Sequence, residues 1–139
     1  MRNKAPLTMM EQVIMLLVFA LAAALCLQAF AAADSQSKAL SARDRAAMEA
    51  QTAAELLKHT GGDYAQAAEL LGGDTKNGSL VLSFDESWNP ADAPEIVYQL
   101  TALPADHSQP LLAQTTITVT AKGEPLFSLP VSWQTGGGQ

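Results

Sequence analysis

Residues 13–33, VIMLLVFALAAALCLQAFAAA, carry no charged side chain and only Gln28 as a strongly polar one. At a helical rise of about 1.5 Å per residue the run spans about 30 Å, the thickness of a bilayer's hydrocarbon core. The run therefore predicts a membrane-spanning helix. A cleaved secretory signal is the rival, because Arg2 and Lys4 precede the run and AFAAADS offers A-x-A sites at Ala29 to Ala31 and Ala31 to Ala33. Two features favour the spanning helix over the signal. The run exceeds the roughly 7–15 residues of a signal's apolar region, and Glu11 is atypical of its basic leader. A lipoprotein signal fits less well, since Leu25 stands before Cys26 where a small residue is wanted.

Beyond the run, residues 34–59 contain neither Gly nor Pro and are rich in Ala, Leu, Glu, Gln, Lys and Arg, so the helix is predicted to continue into water. Ala39, Ala42, Ala46, Ala50, Ala53 and Leu57 recur at spacings of three and four, a small-residue stripe that needs a partner surface. Arg43, Arg45, Glu49, Glu55 and Lys58 keep largely to other faces. The sequence HTGG stops the helix, with Gly61 or Gly62 as left-handed cap. At the other end, Thr8 with Glu11 three residues later forms a capping-box pattern that starts it near Met9. From Met9 to His59 the helix is about 75 Å long.

The remaining sequence predicts a short helix and about four antiparallel strands. GGDYAQAAELLGG has Asp63 as N-cap, Gln66 at the capping-box position and Gly72 or Gly73 as terminator. SLVLSF places Leu80, Leu82 and Phe84 on one face, and EIVYQLTAL does the same with Ile96, Tyr98 and Leu100. QTTITVTA alternates Thr115, Ile117, Val119 and Ala121 with Thr116, Thr118 and Thr120. Such alternation is that of an antiparallel sheet with one wet face. AKGEP reads as a tight turn into LFSLPVSW, with Pro130 confining that last strand to an edge or a bulge. The predicted organisation is a basic tail at 1–8, a transmembrane half-helix at 9–33 and an extracytoplasmic half-helix at 34–60. A short helix plus sheet at 61–134 and a loose tail at 135–139 complete it. The fold class is α+β, with the sheet's apolar face covered by the small-residue stripe.

Charge and motifs narrow the function. With 14 acids against 8 bases the net charge is −6, which argues against nucleic-acid binding. Removing Glu11, Arg2 and Lys4 leaves 13 acids and 6 bases after the apolar run, or −7 there. No Walker, dinucleotide-binding or nucleophile-elbow pattern is present, so no enzyme and no cofactor is expected. His59 and His107 stand alone, without a second ligand at metal spacing. DTKNGS matches a calcium loop poorly, because Lys76 and Gly78 fall at ligand positions; a contribution from Asp85 and Glu86 is the weaker alternative to a solvated loop. Asn77 begins a glycosylation sequon, yet Asn77–Gly78 is better explained as a turn. Trp88 and Trp133 read as packing residues, and Cys26 as a lipid-facing or helix-facing one.

This architecture resembles the type IV pilins and the pseudopilins of type II secretion, the motif being LTMMEQVIMLLVFALAAALCLQAF with Glu11 fifth from Leu7. The resemblance implies a filament or pseudopilus subunit whose Glu11 pairs with a neighbour's N-terminal amine while the apolar helices bundle with sibling subunits. It also implies a cytoplasmic N-terminus and an extracytoplasmic sheet, an orientation that the near-even basic flanks leave open. Processing by a prepilin peptidase would fall between Pro6 and Leu7. In the family a glycine precedes the cut; here Pro6 does, which disfavours cleavage and points to an unprocessed or divergent variant. Without cleavage, Arg2, Lys4 or a lipid headgroup would replace the amine as the partner of Glu11. The alternative is a membrane-tethered or secreted small β-domain that binds an extracytoplasmic partner without polymerising.

Overall fold

A computed structural model describes residues 5–135. It contains helices α1 (Ala5–His59) and α2 (Tyr64–Leu71), then strands β1 (Asp74–Lys76), β2 (Ser79–Phe84), β3 (Tyr98–Ala102), β4 (Asp106–Gln109), β5 (Leu112–Ala121) and β6 (Glu124–Gln134). The class is α+β with a long apolar N-terminal helix, as the sequence predicts. The sheet has six strands instead of about four. The two extra ones, β1 and β4, are three and four residues long and exposed throughout, so no burial alternation marks them. The expected loose tail at 135–139 lies, apart from Thr135, outside the described residues, as do Arg2 and Lys4.

The chain divides into two compact units at Ser41. In the first, every described residue of α1 is exposed. The helix is already formed at Ala5, the first described residue, four residues ahead of the expected start at Met9. Thr8 is consequently a helical residue, whereas an N-cap has extended backbone, and the capping box of Thr8 and Glu11 is corrected on that ground.

In the second unit the small-residue stripe is buried as expected over Ala46, Ala50, Ala53 and Leu57, joined by Ala54. Ala39 is exposed and Ala42 half-buried, so the stripe finds its partner surface only from the helix's last four turns. On another face Arg45 pairs with Glu49 at 3.0 Å. The Leu57 carbonyl accepts the Gly62 N–H at 2.8 Å and the Lys58 carbonyl accepts the Gly61 N–H at 3.2 Å. These two bonds form the Schellman closure that HTGG predicts, with Gly61 at φ +65°. The same closure ends α2, where Gly72 has φ +71° and the Gly73 N–H reaches the Ala68 carbonyl. At its start the Asp63 carboxylate accepts the Gln66 N–H at 3.1 Å.

All strand pairs are antiparallel, and β5 is the sheet's spine. It pairs with β6 along its whole length, with β3 over its second half and with β4 over its first. Beyond β3 come β2 and then β1. Register places Leu80, Ala102, Ile117 and Leu129 in one cross-strand row, and Leu82, Leu100, Val119 and Phe127 in the next. These rows form the face that shares a core with the α1 stripe and with Ala67 and Ala68 of α2. Fully buried Leu57, Leu80, Leu100, Ile117 and Val119 are its largest members, each worth about 1.5–3 kcal/mol of apolar transfer. The opposite face presents Thr101, Thr118 and Ser128 in one row and Ser83, Gln99 and Thr120 in the next. The predicted alternation of β5 is thus the alternation of core and water.

Turn chemistry fixes this register. Asn77 and Gly78 join β1 to β2 with φ of 52° and 78°, and Lys122 and Gly123 join β5 to β6 with φ of 50° and 85°. Positive φ at both positions is the type I′ hairpin turn, whose twist matches that of the strands. DTKNGS is accordingly a hairpin tip. Pro130 lies opposite Thr116 on β6, which pairs with β5 alone, so the strand is an edge as expected. Ile96 lies outside β3, which starts at Tyr98. A polar clamp holds α2 to the sheet: the Tyr64 and Thr115 hydroxyls both donate to the Leu103 carbonyl, at 2.7 and 2.6 Å.

Candidate assembly surface on the N-terminal helix

An 18-residue window of α1 has mean hydropathy 2.6 and none of it is buried within the molecule. The helix is therefore long and apolar enough to form one membrane span. Its composition explains why it is helical: Leu, Met and Ala dominate, and among its described residues Gly is absent and Pro6 is the one proline. Leu7, Glu11, Ile14 and Met15 lie at spacings of three, four and seven, which places them on one helix face. With Thr8 and Met10 they line a shallow groove. Leu7 and Met10 are 72% and 64% exposed, so the groove has apolar walls that no described residue covers.

Among the described residues Glu11 is the one charged side chain in that groove. It stands two positions before the uncharged run, about 3 Å along the axis, which puts it at the rim of a bilayer centred on the run. There it escapes much of the roughly 2.5–3.5 kcal/mol charged at the hydrocarbon centre. Among the described residues the ion pairs are Lys38–Asp34, at 3.2 Å, and Arg45–Glu49. Glu11 has no such partner among the described residues. A carboxylate on an otherwise apolar membrane helix is a functional candidate because a partner cation or donor would lower its free energy. The expected processing position, Pro6 and Leu7, lies in helical backbone of α1. Thr8 and Glu11 share the groove and not a cap. Met10, Ile14 and Met15 were not singled out from sequence, although their three-and-four spacing from Leu7 and Glu11 carried the signal.

The remaining candidates do not gather into a second site. His59 ends α1 and His107 lies on the exposed β4. Asp74 faces Val81 and Lys76 faces Ser79 in the β1–β2 hairpin. The Asp85 carboxylate accepts the N–H groups of Ser87, at 2.8 Å, and Asn89, at 3.0 Å. The Asn89 N–H, more than any other contact, holds it below the usual carboxylate range. Asp85 thus serves as a turn acceptor. Among the described residues no three His, Cys, Asp or Glu side chains approach closely enough to hold a metal. Trp88 stacks on Tyr98 with centroids 4.0 Å apart and planes 8° from parallel, and Phe84 stands 5.6 Å from Trp88. Trp133 is buried in the core. Cys26 is exposed on the apolar stretch of α1, about 20 Å along the helix from Val13.

No family model matches the chain, and no curated protein or solved structure matches it at a significant level.

Proposed function

We propose that this chain is a single-pass membrane subunit of a type IV pilus-like or type II secretion pseudopilus-like assembly. Its apolar helix α1 bundles with sibling helices, its N-terminus is cytoplasmic and its sheet unit is extracytoplasmic. The observation that carries the reading is an unburied helix with a span-length apolar stretch and a single carboxylate, unpaired among the described residues, at the start of that stretch. Lipid satisfies the apolar side chains but not Glu11. A neighbouring helix that brings a cation or an N-terminal amine would satisfy both. The sheet unit supports the same reading, because its core contains no residue of α1 before Ala42. The apolar half of the helix is left free to move from lipid into a bundle.

The test is co-purification of two differently tagged full-length copies from native membranes, with and without Glu11→Ala. Assembly through α1 predicts recovery of one tag with the other and its loss in the variant. Near-UV circular dichroism should stay unchanged, since Glu11 is not a member of that core. Copies that never co-purify, with each other or with any membrane protein, would refute the assembly and leave a tethered β-domain.

A further inference from the structure

Two cavities open on the polar face of the sheet. Register sets Val81, Thr101, Thr118 and Ser128 in one row of that face and Ser83, Gln99 and Thr120 in the next, while toward the start of β5 Thr116 stands opposite Pro130 and Gln114 opposite Ser132. None of these side chains is charged, although the sequence around them is strongly acidic. At the β1–β2 margin a cavity of about 470 Å³ is lined by Asp74, Lys76, Ser83, Asp92 and Glu95. Over β5 and β6 a second, of about 490 Å³, is lined by Asp106, Gln114, Thr116 and Ser132. Each has the size of a small-ligand site. Because β3 and β5 lie between β2 and β6, the strip that joins the cavities spans three strand spacings, about 14 Å. We propose that this strip binds an uncharged oligosaccharide, seated at its ends in the two cavities and crossing the strands over Thr101 and Thr118.

Water satisfies the hydroxyls and amides of this face, so an occupant must replace water's hydrogen bonds. A sugar chain does so, since each of its hydroxyls donates and accepts, as the Ser, Thr and Gln side chains do. Asp74, Asp92 and Glu95 form no ion pair among the described residues, and their carboxylates are the stronger, charge-assisted acceptors for hydroxyls at the first end. Pro90 and Pro94 line the first cavity and Pro104 and Pro130 the second, all four exposed, and their rings offer apolar surface to the C–H groups of a sugar. The walls are fixed in advance. The Ala91 N–H donates to the Ser83 carbonyl and the Glu95 N–H to the Asp92 carbonyl, both at 3.0 Å, and the Leu103 N–H reaches the Thr116 carbonyl at 3.4 Å. Such a preformed site gives up little freedom on binding. Other occupants fit less well. Nucleic acids and sulfated glycans are repelled by the carboxylates. An extended peptide needs a free strand edge, and β3 and β5 are paired on both sides.

The test is isothermal titration calorimetry of the full-length chain in lipid nanodiscs free of glycoside detergent. The probes are uncharged oligosaccharides of glucose, mannose, galactose or N-acetylglucosamine, each with a sulfated counterpart. At least one uncharged oligosaccharide should bind saturably, and its sulfated counterpart at least tenfold more weakly. Thr118→Glu, which sets a carboxylate in the middle of the strip, should weaken binding at least tenfold with near-UV circular dichroism unchanged, whereas Glu11→Ala should leave binding unaltered. Should Thr118→Glu disturb the fold, Asp92→Ala and Ser132→Ala at the two ends replace it, each weakening binding at least threefold through a lost hydrogen bond. No saturable binding of any uncharged oligosaccharide would overturn the proposal. So would tighter binding of a sulfated counterpart, or an affinity that these substitutions on the strip leave untouched. The assembly through α1 rests on co-purification and is unaffected by any of these results.

Discussion

Gly61 and Gly62 close the same helix end with positive φ, yet alanine should be tolerated very differently at the two positions. At Gly61, φ is +65° and an added Cβ meets nothing within 4 Å. Only the left-handed conformation is disfavoured, by about 1–2 kcal/mol for a residue with a Cβ, and about 0.4–1 kcal/mol returns through the stiffer unfolded chain. Gly61→Ala should therefore cost about 1 kcal/mol or less. At Gly62, φ is +88° and the new Cβ would stand 2.7 Å from Cζ2 and 2.8 Å from Nε1 of Trp133. Trp133 is buried, and its Nε1 has no hydrogen-bond partner among the described residues. The indole lies against the helix end by shape alone and must be displaced. Overpacking of this kind adds about 1–3 kcal/mol, so Gly62→Ala should cost about 2–4 kcal/mol. Urea unfolding of the full-length protein in a fixed detergent, followed by Trp133 fluorescence in a Trp88→Phe background, measures both. Equal costs at the two glycines would refute the argument that the Trp133 contact sets the difference.

Tyr64→Phe should cost about 0.5–1 kcal/mol, since the Leu103 carbonyl keeps its bond from Thr115 when the phenol is lost. Burial raises the Tyr64 pKa, the Thr115 hydrogen bond opposing it more weakly. The folded state therefore holds this proton more tightly than the unfolded state does. The contribution is complete below the ordinary tyrosine value of 10.0 and falls as pH rises through the folded value. A stability profile across that range should lose this alkaline slope in the Phe variant; an unchanged slope would refute the assignment to Tyr64. Pro130→Val should give the open side of β6 a new N–H donor and raise self-association of the sheet unit, measured by the concentration dependence of sedimentation. Sedimentation identical to wild type would show that Pro130 does not guard that edge.

Sequence made the second unit legible wherever a residue type had one physical use. The Gly pairs after α1 and α2, the Asn77–Gly78 turn, the Asp63 cap and the alternation of β5 all stand where expected. It failed where local chemistry had competing uses. Thr8 and Glu11 have capping-box spacing, but Ala5, Pro6 and Leu7 ahead of them are already helical. β1 and β4 have no buried side chain to impose a period of two. Each exists because a neighbouring strand offers an unpaired edge. The groove at Glu11 was half legible: the carboxylate stands out in the sequence, while Met10, Ile14 and Met15 merge into the apolar run. Their spacing of three and four from Leu7 and Glu11 is what places them on its face once the segment is helical.

The distribution of unsatisfied surface explains why association through α1 is favoured over association through the sheet. On the sheet's open face the side chains are largely Ser, Thr and Gln, which water satisfies. On β6, the long open edge, Pro125 and Pro130 stand opposite Thr120 and Thr116. A proline has no N–H to offer β5, so both fit ladder positions whose N–H groups would face outward, and they remove two donors that an added strand would need. In α1, by contrast, Leu7, Met10, Val13, Phe19, Leu27 and Phe30 are all more than half exposed, and one carboxylate lies among the first of them. Lipid removes the apolar penalty without providing a counter-charge. A bundle of like helices can provide both, while the sheet unit keeps its own core and its edge strand resists pairing.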